Sequence, residues 1–442
     1  MSAAGRRRGL AIVFAVVFLD LLGFGIIIPI LPFYTRSFPG GTEFVIGLLA
    51  ASYSAMQFAF APLLGSLSDR VGRRPVLILS LCGSVVAWTV FGLATALWLL
   101  FASRMLAGAM GGNISTAQAY VADVTPPERR AAALGFIGAA FGLGFIFGPG
   151  IGAVLSFDAT VAAVDSVVPD AVPINRFSLP SFAAAFASLC GVVVASLFLP
   201  ESRPPSADTD AASRERPSAI AQLRAAVAAP GLRELLSAFF LVSFAFSGVQ
   251  IMFVPYVADV YGYTAAQSAL LLTYIGVLAV ITQGVLVGRL TARYRPVTLS
   301  LAGTALLVGS VGALPFSRTL GLVLPDLSSI APFLTPELLG LLAILTVLPV
   351  GNGILSVTLT ALVSQRASAE LQGSAFGITQ GAGSLARTVG PPVMGGLYAA
   401  VGYWSPFVVG SLLLLPVAVL VARLGTVEEP PTPRPTDPGH VR

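Results

Sequence analysis

The chain has 442 residues, 56% of them hydrophobic and 10% charged, and its mean hydropathy is +0.88. That balance excludes a soluble globular domain, because apolar runs at this density belong to a polytopic membrane protein. The net charge of +5 comes from arginines in short loops and does not signal a nucleic-acid partner.

The chain starts with Arg6, Arg7 and Arg8, followed by LAIVFAVVFLDLLGFGIIIPILP over residues 10–32. This mimics a secretory signal, but the apolar part is too long for one and lacks a convincing cleavage site, so it reads as a retained first helix. Asp20 sits at its middle. A charge at that depth costs at least about 2.5 kcal/mol, so chains keep it only when it is paired, solvated or used. A structural Asp bonded to a neighbouring helix is the plainer alternative.

Further apolar spans follow at 43–65, 75–95, 97–122, 131–155, 180–199, 234–258, 266–289, 296–315, 337–363, 373–400 and 404–424. Each is near the roughly 20 residues that a membrane-crossing helix needs. The predicted fold is therefore an all-α polytopic membrane protein, with twelve transmembrane helices in two pseudo-symmetric six-helix bundles. The expected division is an N-terminal bundle over 1–200, a cytoplasmic linker over 201–233, a C-terminal bundle over 234–425 and a disordered cytoplasmic tail over 426–442. The linker is rich in Pro, Ser and charge at its start, and the tail is rich in Pro. Two long loops, 156–179 and 316–336, carry Pro and apolar residues and are suited to packing on the outer face.

Arginine placement sets the orientation. With the N-terminus inside, the outer loops hold only Arg36, Arg176 and Arg318, and the other loop arginines all fall inside. This follows the positive-inside rule and places both termini in the cytoplasm, with the chain in the cytoplasmic (inner) membrane. An internal repeat supports two similar halves. GSLSDRVGRRP at 65–75 returns degenerately as GRLTARYRP at 288–296, and Gly148-Pro149 returns as Gly390-Pro391. Such repeats predict a substrate path between the bundles.

Several motifs carry chemistry. In GSLSDRVGRRP, Gly65 and Gly72 allow tight turning, Asp69 can face the positive end of a helix, and Arg70, Arg73 and Arg74 suit the anionic inner surface. A solvated basic loop is the plain alternative. In the fourth span Arg104 can reach the depth of Asp20, which predicts an ion pair between them. Packing between helices is the other reading for Arg104. GFIGAAFGLGFIFGPGIGA places Gly144, Gly148, Pro149 and Gly152 on one helix, where small residues permit backbone contact and Pro149 kinks the rod.

These stretches resemble the major facilitator superfamily, in particular the drug:H⁺ antiporter branch that includes the tetracycline-resistance exporters. The resemblance rests on LDLLGFGIIIPILP, SDRVGRRPVLILSL, ALWLLFASRMLAG, YVADVTPPERR and FGLGFIFGP. It implies that Gly65, Asp69, Arg70, Gly72, Arg73 and Arg74 form a conformational latch. It also implies that Gly144, Gly148, Pro149 and Gly152 form the helix-five signature of proton-driven exporters. Two departures stand out: Ala153 replaces a signature glycine, and Ala87 stands where tetracycline exporters have an acid in helix three.

Asp20 is the only Asp or Glu deep within a span, so by elimination a proton-coupled cycle runs through Asp20 with Arg104 as its companion. Arg387 is a second deep cation, placed either to face the cavity and bind an anionic or carbonyl group or to snorkel inward. The uncharged cavity candidates are Tyr53, Gln57, Asn113, Gln118, Gln250, Asn352 and Gln380. No metal site is expected: Cys82 and Cys190 lie in apolar runs, and the single His440 lies in the tail.

The functional expectation is a proton-coupled secondary active exporter of lipophilic small molecules or drugs, working by alternating access. No cofactor is expected, with the proton gradient as energy source. The expected partners are a small-molecule substrate, protons and the lipid bilayer, with no nucleic acid and a functional monomer. A solute importer or symporter of the same fold is the alternative. A membrane sensor lacks a sizeable soluble domain to carry a signal. An enzyme is disfavoured, because the sequence holds no nucleophile–His pair or phosphate loop.

Overall fold

The computed structural model describes residues 3–126, 129–169, 172–202, 232–329, 331–366 and 372–426. The expected linker beyond Ser202 and the expected tail beyond Thr426 lie outside these residues. Among the described residues ten helices are long and apolar enough to cross a membrane.

The N-terminal half comprises α1 (Ala3–Ile27), α2 (Leu31–Arg36), α3 (Glu43–Val71), α4 (Arg73–Gly92), α5 (Leu97–Gly111), α6 (Asn113–Val124), α7 (Arg130–Leu155), α8 (Asp158–Asp165) and α9 (Ser178–Phe198). The C-terminal half comprises α10 (Leu232–Tyr261), α11 (Ala265–Ile281), α12 (Val287–Thr291), α13 (Pro296–Ala313), α14 (Ser317–Gly321), α15 (Pro336–Arg366), α16 (Gln372–Val401) and α17 (Ser405–Thr426). The fourth predicted span is two helices, α5 and α6, meeting at Gly111 and Gly112. There the Cβ that Gly112 lacks would stand 2.9 Å from the Ala61 nitrogen of α3. Glycine at this point lets the two rods touch. With α5–α6 as one rod and α16 as another, the two halves make a twelve-helix, two-bundle membrane fold.

The eighth span is interrupted by a π-helical turn, Thr282–Leu286, between α11 and α12. Such turns recur at functional sites. Proline lies inside α3, α7, α10, α15, α16 and α17, where each removes a backbone hydrogen bond and bends its rod. The long loops carry short helices. In the first, Phe177 stacks on Tyr34 at 4.6 Å, so that loop is pinned to α2.

The halves meet along two pairs of rods, α3 with α16 and α7 with α11. On the face away from the arginine-rich loops both pairs are tight. Gly47 of α3 lies against the Pro391 carbonyl, and Gly395 of α16 lies against the Glu43 carbonyl. Arg36 bridges the halves there, reaching Asp259 Oδ1 at 2.7 Å and Glu43 Oε1 at 2.7 Å, while the Tyr398 hydroxyl donates to Asp259 at 2.6 Å. Burial works against the Arg36 charge, and the Asp259 and Glu43 carboxylates more than offset this, holding the guanidinium above its ordinary range. On the arginine-rich face the same rods splay. Among the described residues, the Cβ positions of Gly135 and Gly138 on α7, of Gly284 and Gly288 beside the π turn, and of Gly377 and Gly381 on α16 meet nothing within 4 Å. The two bundles, as far as they are described, are therefore closed on the Arg36 face and splayed on the Arg70 face.

Candidate functional site

A cavity of about 760 Å³ lies between the bundles, bounded by α1, α7, α10, α11 with its π turn, and α15. Its wall is mostly apolar, with Phe141, Phe145, Phe246 and Phe253 among its rings, and Gln250, Gln283 and Asn352 supply polar groups. The volume and the few polar groups suit a drug-sized apolar ligand. Two sequence candidates, Gln250 and Asn352, thus line it. Gln283 was missed; its only sequence signal is an amide within an otherwise apolar span.

Behind the Phe145 wall the N-terminal bundle holds its deep charges. Phe145 packs on Phe24 at 6.1 Å, and Phe24 packs on Tyr53 at 4.9 Å. Arg104 is 4% exposed and lies over Tyr53 at 4.5 Å, with Phe24 at 5.5 Å and Trp88 at 6.0 Å. Its Nε has no hydrogen-bond partner. Aromatic faces, not a carboxylate, hold this guanidinium.

Asp20 is held elsewhere. Ser84 Oγ donates to its Oδ1 at 3.0 Å and Asn113 Nδ2 donates to its Oδ2 at 3.2 Å. The expected Asp20–Arg104 ion pair does not form in this state. The two residues share a bundle, but α5 turns Arg104 toward α3 while Asp20 turns toward α4 and α6. Both donors are buried, Ser84 at 3% and Asn113 at 5% exposure. Asn113 was a cavity candidate and is instead a partner of Asp20. Ser84 was not a candidate, although Ser80, Ser84 and Trp88 repeat every four residues on an apolar rod.

The other candidates divide. Gln57 Nε2 donates to the Gly111 carbonyl at 3.1 Å and so ties α3 to α5. Gln118 and Gln380 are exposed and are not among the cavity-lining residues. Arg387 is exposed on α16 and donates to Ser384 Oγ at 3.1 Å. Neither Arg387 nor Tyr53 is among the cavity-lining residues.

The α3–α4 loop is built as a tight ionic turn. Gly72 has φ +103°, which favours glycine, and the Cβ it lacks would meet Glu201 Oε2 at 2.5 Å. Arg73 pairs with Asp69 at 2.7 Å and with Asp123 at 3.1 Å, and donates to Ser68 Oγ at 2.6 Å. Glu201 accepts from the Arg73 and Arg74 backbone nitrogens at 2.9 and 3.1 Å, and Arg74 also reaches the Ser196 carbonyl. Arg70 is exposed, and Gly65 lies in ordinary contact with Ser115. The cluster clamps α3, α4, α6 and the exit of α9 into one unit.

The helix-five glycines face inward on the bundle. A Cβ at Gly144 would stand 2.9 Å from Leu21 Cβ, at Gly148 2.6 Å from Gly25 Cα, and at Gly152 2.7 Å from the Ile26 carbonyl. The neighbouring Gly142 and Gly150 face α11 across the bundle boundary, while Pro149 lines the cavity.

The family model of the Major Facilitator Superfamily matches residues 13–335 and 319–441. Tetracycline resistance protein, class G, of Vibrio anguillarum is 30% identical over 414 residues, covering 92% of this chain and 96% of that protein. The class E protein of Escherichia coli is 44% identical over 148 residues, 33% of this chain and 36% of that one. Among solved structures, the human organic anion transporter MFSD10 (TETRAN) is 25% identical with a TM-score of 0.64, covering 95% of this chain and 100% of that one. The chain belongs to the major facilitator superfamily, and it is a transporter rather than an enzyme.

Proposed function

We propose that this transporter exports lipophilic small molecules in exchange for protons, alternating between a state open on the Arg70 face and one open on the Arg36 face. In this reading the Arg70 face is cytoplasmic, both termini lie on that side of the cytoplasmic membrane, and the protein works as a monomer. The proton gradient supplies the energy without a cofactor, and the linker 201–233 joins the two bundles.

The observation that carries the reading is the setting of Asp20. Among the described residues it is the one acid deep within a span, and it is partly buried, with two neutral donors on its oxygens. Ser84 and Asn113 can accommodate either form, donating hydrogen bonds to the carboxylate or accepting one from the carboxylic acid through Ser84 Oγ or Asn113 Oδ1. Proton loss places a negative charge on Asp20 and proton gain removes it, while Arg104 keeps its aromatic cage in either form. Each change alters the electrostatics around Tyr53 and Phe24, which abut the wall at Phe145. Proton and substrate thus act on the same group of side chains, as exchange requires.

The relatives' names point to different cargoes, tetracycline and organic anions, so the reading stays with lipophilic small molecules. Tetracycline itself is less favoured, because Ala87 is fully buried and offers no acid to a chelated drug. The test uses everted vesicles with an acidified lumen and a trapped pH dye, challenged with a panel of anionic, neutral and cationic lipophilic compounds. Export by exchange alkalinises the lumen on addition of a transported compound, and Asp20→Asn abolishes the response. Wild-type pH-driven efflux by the Asp20→Asn variant would overturn the reading.

A further inference from the structure

The cavity between the bundles is chemically two-sided. From α1 and α7 it receives only apolar side chains and glycine, with Phe141 and Phe145 the largest. Among the described residues that line it, every polar side chain belongs to the C-terminal half: Gln250 on α10, Gln283 on the π turn and Asn352 on α15. None of these lining residues is charged, since Asp20, Arg104 and Arg387 all stand outside the wall.

Helical spacing sets the three amides into the cavity. On α10, Phe246, Gln250 and Phe253 share one face, so Gln250 stands between two rings. On α11 the lining stripe runs through Gly276 and Val280 into Gln283 and Gly284 of the π turn. Gly353, beside Asn352, leaves room for that turn: the Cβ it lacks would lie 3.0 Å from Thr282 Cγ2 and 3.4 Å from Gln283 Cγ. Other deep amides are bound within the protein, Gln57 to the Gly111 carbonyl at 3.1 Å and Asn113 to Asp20 at 3.2 Å. Gln250, Gln283 and Asn352 have no hydrogen-bond partner among the described residues. Three unpartnered amides on one wall, opposite an aromatic one, form a surface that a ligand completes.

Each amide carries two N–H donors and a carbonyl acceptor but no net charge, so the wall offers hydrogen bonds and no counter-ion. An ionised group brought onto it loses its water with no opposite charge in exchange, a cost that bonds to neutral amides do not offset. A carbonyl or hydroxyl group loses far less on leaving water and regains it from the amides. We infer that the cavity selects its cargo by hydrogen bonding and against charge. It takes an uncharged aromatic compound, whose frame lies on Phe141 and Phe145 and whose carbonyl or hydroxyl edge bonds Gln250, Gln283 and Asn352. This deepens the export reading by naming its cargo, and it rests on that reading's placing of the cargo between the bundles, not on proton coupling.

The test is equilibrium binding to the full-length protein in neutral-lipid nanodiscs, at neutral pH and with no gradient. Three competitors share a naphthalene frame: 2-acetylnaphthalene offers a carbonyl, 2-ethylnaphthalene lacks it, and 2-naphthoate carries a carboxylate. Each displaces the fluorescent ketone 6-propionyl-2-(dimethylamino)naphthalene, whose own affinity is measured first on every protein. After subtraction of empty discs, the wild type holds the ketone competitor at least about tenfold tighter than the hydrocarbon or the anion. Gln283→Leu alone weakens the ketone by about 3- to 10-fold. The triple variant Gln250→Leu, Gln283→Leu, Asn352→Leu brings ketone and hydrocarbon to within about twofold of each other, and its unchanged grip on the hydrocarbon reports an intact cavity. A wild type that binds 2-naphthoate as tightly as the ketone would overturn the proposal without any variant, as would the absence of saturable displacement by any competitor. A triple variant that keeps the ketone preference would overturn it too. Because no proton movement is measured, failure here leaves proton exchange standing. Loss of exchange in the vesicle assay likewise leaves this result untouched.

Discussion

Arg36 and Asp259 close the Arg36 face from opposite halves, 223 positions apart in the chain, and the structure sets a size on that closure. Two charge-assisted bonds of 2.7 and 2.8 Å join the guanidinium to both carboxylate oxygens. The Asp259 side chain is 40% exposed and that of Arg36 26%, so solvent screens the pair. Exposed ion pairs contribute about 0.2–1 kcal/mol, and hydrogen bonds to charged groups contribute about 1.5–3 kcal/mol. A value of about 1–2 kcal/mol between these limits means that Asp259→Asn raises the ratio of molecules open on the Arg36 face to molecules closed there about 5- to 30-fold. Arg36→Gln does the same. Glu43→Gln does less, since Glu43 and Arg36 belong to the same bundle. The assay is pulsed electron–electron distance measurement between spin labels at Ser166 and Leu322, in a background carrying Cys82→Ser and Cys190→Ser. The label sites lie on the Arg36 face, one in each half. A longer-distance population grows in the variants, and high salt moves the wild type the same way. Distance distributions unchanged in both Asp259→Asn and Arg36→Gln would show that the Gly47–Pro391 and Gly395–Glu43 backbone contacts close this face without help from the charges.

Three further outcomes follow from the packing and can be read from thermal unfolding of the detergent-solubilised protein. Gly148→Leu forces a side chain where a Cβ would already stand 2.6 Å from Gly25 Cα, and it costs about 1–3 kcal/mol or more; an unchanged melting temperature would mean that α1 and α7 can separate freely. Arg73→Ala removes the guanidinium that Asp123 and Ser68 share, costing about 1–3 kcal/mol, and Arg73→Lys restores only part of it because one ammonium cannot replace the guanidinium fork. Gly72→Val costs roughly 1–3 kcal/mol because φ +103° is foreign to a β-branched residue. Adding Glu201→Ala relieves the contact at 2.5 Å but not the backbone strain, so it recovers only a fraction of the loss.

What the sequence disclosed about this fold follows from strong, local physical signals. Spans of about 20 apolar residues and a rarity of deep charge are imposed by the bilayer on each segment separately, so they survive reading one segment at a time. The GPGIG and GPPVMGG stretches disclosed where rods touch, because only small residues permit backbone contact. The partner of Asp20 depended on something not local. Depth along a rod is counted in residues, and by that count Arg104 matches Asp20. Direction around a rod depends on how its neighbours pack. Gly108 and Gly112 draw α5 and α6 onto the backbone of α3, which carries the Tyr53 ring over the Arg104 guanidinium and away from α1. The same closeness leaves α4 and α6 to face Asp20 with Ser84 and Asn113. The closure of the Arg36 face was hidden for a related reason. Arg36, Glu43 and Asp259 each read as an ordinary charge at the edge of a span, and only the meeting of the two halves makes them one cluster. A deep cation surrounded by rings and a deep acid surrounded by neutral donors are two separately stabilised groups, so in this state neither depends on the other for its charge. That independence lets the acid gain or lose a proton without breaking a salt bridge, and it leaves the positive field of Arg104 constant while the carboxyl group changes.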